Sequence, residues 1–286
     1  MFKKMRKSQA WRRFFKNKRA VFAVSFLLFE VVLCFIVPLF ANLDPNVTDT
    51  SVPFQSAPSA AHWLGTDKVG RDLFARLLYG GRVSLVVGVS AAAISVALGV
   101  PLGLIAGYFR GIPEMIVMRL ADIFMAFPSM ILILVLVAVV GPSLTTLILV
   151  IGVMGWTGVA KLIYGNVLSI RQKEYIEASK CIGRSTPAIL FKEILPNAMG
   201  PVWVSLSFRV GGAILQESGL SFLGVGVQTP QASWGNLINA AQDLSILMLR
   251  PWFWVPAGIM IVMTVLSFNF LGEGVRDALD PKMKAE

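Results

Sequence analysis

Six long apolar runs dominate this chain. They cover residues 21–40, 83–108, 115–140, 144–163, 201–215 and 252–271. About 20 apolar residues cross the hydrocarbon core of a bilayer as an α-helix, and only the fifth run is clearly shorter. Hydrophobic residues make up 56% of the 286 residues, too large a share for a soluble domain of this length. The sequence therefore predicts an all-α, polytopic membrane protein with six transmembrane helices.

Basic residues cluster beside these runs. Of the 26 Lys and Arg residues, nine precede the first run and six lie from Lys161 to Lys192. Because cytoplasmic loops carry an excess of Lys and Arg, we predict that the N-terminus, the loop after the fourth span and the C-terminus are cytoplasmic. The same clustering explains the net charge of +10 without nucleic-acid binding. The first run exceeds the roughly 7 to 15 apolar residues of a signal peptide, so we expect it to remain as a span.

A stripe of small residues marks the second run. Ser95, Gly99, Gly103 and Gly107 recur at intervals of four, which places them on one face of a helix. Such a face lets another helix backbone approach closely. The partner is either a helix of the same chain, which we favour, or a helix of a second subunit.

Charged side chains within the runs must face protein or water, because lipid does not solvate them. Arg119 and Asp122 are three residues apart on one helical face and are expected to pair with each other or to extend to the membrane surface. Arg209 has no acidic residue within four positions. It either meets a partner on another helix or lines a wet path. Arg209 and Glu217 are our candidates for the translocation path.

The two outer segments, 41–82 and 216–251, read as ordered structure. Apolar residues at helical spacing predict an amphipathic helix within residues 62–85, with Thr66 or Asp67 as its N-cap. Residues 220–238 contain too many Gly and Pro for one helix and are expected to form an ordered cap over the outer mouth.

The sequence lacks the residues of the common catalytic and metal sites. The dipeptide Gly-Lys does not occur, so no phosphate-binding loop of the Gly-x4-Gly-Lys type is present. The two cysteines, Cys34 in the first span and Cys181 in the cytoplasmic loop, are predicted to lie too far apart for a disulfide. His62 is the sole histidine and is expected to be a surface residue. We predict that the chain is not an enzyme and binds no metal or cofactor.

The predicted loop after the fourth span contains the stretch EYIEASKCIGRSTPAILFKEILPN, residues 174–197. Its first part favours a helix over 174–182, with Tyr175, Ala178 and Ile182 on one face and Gly183 just past its end. Ser185 or Thr186 then caps a second helix, which Pro196 is expected to stop. Such an ordered loop indicates a docking element for a partner, or a helix lying on the headgroups.

This stretch resembles the EAA loop of ATP-binding cassette importer permeases. EASKCIG, 177–183, and ILP, 194–196, are similar to that motif, except that Ser179 replaces the second Ala and Ile194 directly precedes Leu195. The contiguous form resembles the dipeptide, oligopeptide and nickel branch. Three further stretches extend the resemblance to the shorter, C-type permease of that branch over nearly the whole chain: 62–85, 121–144 and 217–238.

The resemblance implies an importer fold and a set of partners. A second homologous permease would complete the path, one or two cytoplasmic ATP-binding subunits would bind ATP and Mg, and an outer binding protein would deliver the substrate. Transport would proceed by alternating access. The residues implied to dock the ATPase are Glu174, Tyr175, Glu177, Ala178, Ser179, Gly183, Ile194, Leu195 and Pro196.

The expected organisation follows from these observations. It comprises a basic N-terminus (1–20), a first span (21–40), an outer segment (41–82), a transmembrane core (83–272) with a coupling loop (164–198) and an outer loop (216–251), and a C-terminus (273–286). The predicted function is a peptide permease subunit in a bacterial or archaeal cytoplasmic membrane. Import of nickel or another small solute, a secondary carrier and a membrane scaffold are the alternatives.

Overall fold

The protein is almost entirely helical. A computed structural model describes residues 12–41 and 43–279, so the basic residues at positions 3–7 and the last residues, 280–286, lie outside the described part. The helices are α1 (Lys18–Phe40), α2 (Leu73–Phe109), α3 (Ile112–Ala126), α4 (Ser129–Val140), α5 (Leu144–Met154), α6 (Trp156–Arg171), α7 (Glu174–Cys181), α8 (Thr186–Ala198), α9 (Gly200–Phe222), α10 (Trp234–Asn239), α11 (Leu244–Leu249) and α12 (Val255–Leu279). Within the described ranges the only β-pairing is two isolated bridges, so the predicted all-α class is confirmed.

Four of the helical stretches are long and apolar enough to span a membrane, namely α1, α2, α5 with α6, and α12. Two further spans are each a bent pair, α3 with α4 at 89° and α8 with α9 at 58°. Counting each bent pair as one span gives the predicted six. The predicted single run over 115–140 is thus a broken span, and the predicted run over 201–215 is part of the longer α9.

Proline explains the break between α3 and α4. Pro128 immediately precedes α4, and a residue before proline is driven out of the helical region toward extended backbone. Phe127 accordingly has φ −96° and ψ 143°. The apolar sequence continues through this point, but the helical backbone does not, so the chain turns between α3 and α4.

Arg82 compensates for a second proline. Pro38 lies in α1 and lacks an N–H, so the carbonyl of Cys34 loses its usual helical donor. The preceding turn, Val32–Ile36, widens to π geometry. The guanidinium of Arg82 then donates from Nε to the Cys34 carbonyl at 2.5 Å and from Nη2 to the Phe35 carbonyl at 3.0 Å. This arginine of α2 thereby fixes α1 against the core.

The helix predicted within residues 62–85 begins later than expected. Asp72, not Thr66 or Asp67, is the N-cap of α2, and its carboxylate accepts a hydrogen bond from the Ala75 N–H at 2.7 Å. Asp67 is instead engaged by arginines, with its Oδ2 2.7 Å from Arg71 Nε. From Leu73 the helix runs without interruption to Phe109, so the outer segment leads directly into the span.

The core of the bundle is the contact between α2 and α6, with α5 and α9 also packed on α2. α12 packs on α9, and α1 lies on α12 at the periphery. The amide of Asn17, just before α1, donates to Asp277 near the end of α12 at 3.0 Å. Both ends of the described chain therefore lie at the same side of the bundle.

The small-residue stripe of α2 faces α6 within the same chain. A Cβ built on Gly99 would lie 2.7 Å from the Trp156 carbonyl oxygen, and one on Gly107 would lie 2.7 Å from Val167 Cβ. Gly103 likewise abuts Ile163. Ser95 extends the contact with a hydrogen bond from its Oγ to the Gly152 carbonyl at 2.8 Å. The stripe allows two helix backbones to touch.

We predict that Gly99→Ala destabilises the protein, because the added methyl group must push α6 away. Overpacking of this kind costs about 1–3 kcal/mol of unfolding free energy. The matched control is Gly165→Ala on α6, where an added Cβ meets nothing within 4 Å. That change should be neutral or stabilise the helix by up to about 1 kcal/mol. Thermal unfolding of both variants in lipid nanodiscs measures the difference, and an equal melting temperature for the two would contradict the close approach.

Candidate functional site

The loop between the fourth and fifth spans is a compact helical hairpin of α7 and α8, which we call the coupling loop. α7 ends at Cys181, and Gly183 follows with φ +76°, a conformation that L side chains rarely adopt. Ser185 is the N-cap of α8, and Pro187 lies in its first turn. The predicted helix, glycine turn and second helix are therefore present, but the side chain of Ser185 makes no capping hydrogen bond.

One expectation about this hairpin is wrong. Pro196 does not stop the second helix, which continues to Ala198. The ring of Pro196 would clash with a carbonyl one turn earlier in a regular helix. The turn Leu190–Ile194 avoids the clash by widening to π geometry. The chain bends only at Met199, before Pro201.

An apolar cluster joins the coupling loop to the spans. Ile176 of α7 and Ile194 of α8 are both fully buried. They pack in one cluster with Leu104 of α2, Ile163 of α6 and Val202 of α9. Hydrophobic contacts therefore hold the loop against α2, α6 and α9. The loop is not joined to the spans by its two chain connections alone.

Glu193 holds the two helices of the hairpin together. Its Oε1 accepts a hydrogen bond from Ser179 Oγ at 3.0 Å and an ion pair from Arg184. Ser179 is buried, so its hydroxyl contacts Glu193 and is not available on the surface of the loop. A second cation, Arg171, donates to the Tyr108 carbonyl at 2.8 Å and satisfies the end of α2 beside the loop.

The predicted docking residues fall into three groups by exposure. Glu174, Tyr175, Glu177, Ala178, Gly183 and Pro196 are exposed, whereas Ser179 and Ile194 point inward and Leu195 is half-buried. The predicted docking set does not include Ile182, which is 79% exposed just past the end of α7. The sequence places Ile182 on the apolar face of α7 but does not show whether that face is buried or exposed. Together with Tyr175, which is 43% exposed, Ile182 leaves apolar surface of this hairpin uncovered.

Two cavities among the described helices are open to the surroundings and share part of their walls. The larger, of about 1000 Å³, extends from Ser95 and Ile151 to Asn197 and Arg276 at the side where α8 meets α9. The smaller, of about 390 Å³, lies between the α3–α4 bend and the junction of α5 with α6. Arg209 borders both cavities, as do Ile151, Gly158 and Gln216.

Glu217 lines neither cavity. It is fully buried, and its Oε2 accepts from Ser84 Oγ at 2.9 Å while its Oε1 accepts from Ser221 Oγ at 2.7 Å. Ser218 lies 3.4 Å away as a further donor. In this structure Glu217 therefore joins α2 to the C-terminal part of α9, a role different from the predicted path lining.

The outer loop closes over this serine cluster. Ser233 caps α10 through a reciprocal capping box with Asn236. Trp234 is fully buried; its backbone N–H donates to Ser84 Oγ at 3.3 Å and its ring N–H to the Leu77 carbonyl at 3.1 Å. Residues 223–239 thus form an ordered cap packed on α2.

His62 is not a free surface residue. Its Nδ1 lies 2.6 Å from Asp72 Oδ2 and its Nε2 lies 3.1 Å from Asp49 Oδ2. The pKa of His62 is raised, and the main cause is the hydrogen bond to Asp72. Ser51, together with His62, lowers the pKa of Asp49 to about 2. Among the described residues no three His, Cys, Asp or Glu side chains are grouped to hold a metal ion.

Arg119 and Asp122 do not form the ion pair that is one of the two predicted alternatives, and Arg119 is exposed. Asp122 accepts from Lys161 Nζ of α6 at 2.7 Å. The aspartate of the broken span therefore pairs across helices, which sequence spacing alone does not reveal.

Comparison with known proteins decides the family. Residues 99–285 match the family described as binding-protein-dependent transport system inner membrane component. Residues 7–58 match the N-terminal transmembrane domain of oligopeptide transport permease C. The chain belongs to the binding-protein-dependent permease family. It is a multi-pass inner-membrane permease component, and the resemblance drawn from the EAA stretch is confirmed.

Named relatives of this permease cover nearly its whole length. The chain is 41% identical to the dipeptide transport system permease protein DppC of Bacillus subtilis, over 96% of this chain and 85% of the relative. It is 39% identical to the oligopeptide transport system permease protein OppC of the same organism, over 96% and 89%. The glutathione transport system permease protein GsiD of Pectobacterium atrosepticum is 37% identical, over 96% and 91%.

A solved structure shows the same fold. A chain of the MetNI methionine ABC transporter in inward-facing conformations aligns with a TM-score of 0.57 and 18% identity. The alignment covers 72% of this permease and 97% of that chain. The importer permease fold expected from the sequence is confirmed.

We predict that Glu193→Leu loosens the coupling loop, because the buried Ser179 hydroxyl and Arg184 lose their acceptor. Loss of a hydrogen bond to a charged group costs about 1.5–3 kcal/mol, which corresponds to about 10- to 100-fold faster amide exchange in α7. Hydrogen–deuterium exchange of residues 174–184 in nanodiscs measures this change. Glu177→Leu, the same substitution on the exposed face, is the control and should leave the exchange of α7 unchanged. Equal exchange in the two variants would show that Glu193 does not hold the hairpin.

Proposed function

We propose that this chain is the C-type permease subunit of an ATP-driven importer of peptides, forming half of the translocation path. Peptides are proposed as the substrate because the chain is about 40% identical, over nearly its full length, to permeases named for dipeptides and oligopeptides. The glutathione permease is a relative named for another peptide.

The proposed partners are a second permease, one or two cytoplasmic ATP-binding subunits and an extracytoplasmic substrate-binding protein. ATP and Mg would be bound by the ATPase subunits, in keeping with the missing Gly-Lys dipeptide in this chain. The proposed site is the cytoplasmic membrane of a bacterium or archaeon. The N-terminus, the coupling loop and the C-terminus would face the cytoplasm, which the basic residues near the loop support.

The coupling loop is the proposed docking surface for the ATPase. Glu174, Tyr175, Glu177 and Ala178 would contact it together with the exposed Ile182. The buried Ser179 and Ile194 would hold this surface in place without contacting the partner. Gly183 would supply the turn that presents it.

The proposed mechanism is alternating access driven from this surface. Closure of the ATPases on ATP would displace α7, and the apolar cluster around Ile176 and Ile194 would pass the displacement to α2, α6 and α9. The cavity that now extends to the coupling-loop side would close there, while the outer cap around Trp234 would open. The two conformations of the permease would differ in their affinity for the ATP-closed ATPase subunits, because a ligand shifts an equilibrium only when it binds one state more tightly.

The native cysteine Cys181 provides the test. It is exposed in the coupling loop, whereas Cys34 is buried, so a membrane-impermeant maleimide should report on the loop alone. We expect labelling in inside-out vesicles, none in right-side-out vesicles, and at least about fivefold slower labelling when the ATPase subunits are bound. Cys181→Ser, which keeps the shape of the side chain, should abolish the signal.

Labelling from the outer face would overturn the proposed orientation. Equal labelling rates with and without co-purified ATPase subunits would overturn the docking role of the loop. Failure of ATPase subunits to co-purify with the membrane-inserted chain would overturn the proposed function as a whole.

A further inference from the structure

Arg209 occupies a position that the general role of a permease does not explain. It lies in α9, and it borders the cavity of about 1000 Å³ on one side and the cavity of about 390 Å³ on the other. Arg209 is half-buried, and its side chain contributes to the walls of both cavities.

The surrounding helices leave room for this group. A Cβ added to Gly155 would lie 2.5 Å from Nη1 of Arg209, and one added to Gly158 would lie 2.8 Å from Nη2. These two glycines stand at the junction of α5 and α6. A residue larger than glycine at either position would displace the guanidinium of Arg209.

The charge of Arg209 is uncompensated in the described part of the chain. Across residues 12–41 and 43–279 it has neither an ion pair nor a hydrogen bond. The described residues that line the two cavities include Arg209 and Arg276 but no Asp or Glu. A cation without a partner in the interior of a membrane protein is costly and indicates a ligand or a wet path. With two arginines and no carboxylate among these lining residues, the cavities favour anions over cations.

A guanidinium favours planar anions, because its N–H groups form a fork that matches a carboxylate in two parallel hydrogen bonds. Every unmodified peptide carries one such group at its C-terminus. The side-chain amide of Gln216, which also borders both cavities, can donate a further hydrogen bond to it.

We propose that Arg209 binds the C-terminal carboxylate of the peptide during its passage through this subunit. This inference rests on the proposed function and adds to it a specificity: the path itself, and not only the binding protein, selects peptides with a free carboxylate. The competing occupant is an acidic side chain of the second permease, which would make Arg209 a contact between subunits.

The test uses the complete transporter in proteoliposomes and one peptide in two forms, with a C-terminal carboxylate or a carboxamide. Loading of the binding protein with each form is measured separately, and uptake is compared at saturation. Arg209→Gln should reduce ATP-driven uptake of the carboxylate form about tenfold or more, and uptake of the carboxamide form less than about twofold. Arg209→Lys keeps the charge without the fork and should give an intermediate loss for the carboxylate form.

Arg119→Gln is the matched control, because this arginine lies exposed in another span and lines neither cavity. Its ratio of carboxylate to carboxamide uptake should equal that of the unmodified transporter. If Arg209→Gln does not assemble, the same ratio is read from Arg209→Lys, which retains the cation that the fold contains.

Three outcomes would overturn the proposal. An equal loss of both peptide forms would show that Arg209 does not recognise the carboxylate. An equal loss accompanied by reduced recovery of the second permease would assign Arg209 to the subunit contact. If the unmodified transporter imports neither form, the proposed function fails, and the carboxylate site fails with it.

Discussion

The direct approach of α2 and α6 is the constraint on which the rest of the structure depends. In lipid, helices gain little from hydrophobic attraction to each other, so their association requires tight van der Waals contact. Gly99, Gly103 and Gly107 remove the side chains that would keep the two backbones apart. Once this pair is fixed, α9 packs on α2 and places Arg209 over the two glycines at the start of α6. The cavities are the space left beside this pair.

The coupling loop extends the same rigid unit beyond the spans. Its apolar residues belong to one cluster with α2, α6 and α9, and Glu193 closes its hairpin. Two widened turns, before Pro38 and before Pro196, let helices continue through residues that would otherwise end them. The loop can therefore carry a displacement from its exposed tip at Ile182 to the wall of the larger cavity. A flexible loop could not transmit such a displacement to the spans.

The sequence predicts the parts of this architecture that depend on local pattern. Apolar length predicted the number of spans, residue spacing predicted the glycine face, and glycine and proline positions predicted most of the coupling hairpin. The features it missed depend on contacts between distant residues. The pairing of Asp122 with Lys161, the serine cluster around Glu217 and the clamp of His62 by two aspartates join separate elements. The π turns were missed because helical periodicity does not register one extra residue.

The central claim is that the coupling loop moves with its own bundle and not relative to it. Double electron–electron resonance on the complete transporter, with one spin label at Cys181 and another at Gly165→Cys on α6, tests this directly. We expect the distance between these labels to change by no more than about 2 Å on ATP binding, while the distance between the loops of the two permeases changes by more. A change of a full helical turn, about 5 Å, between the labels of one chain would instead show that the loop moves independently of its bundle.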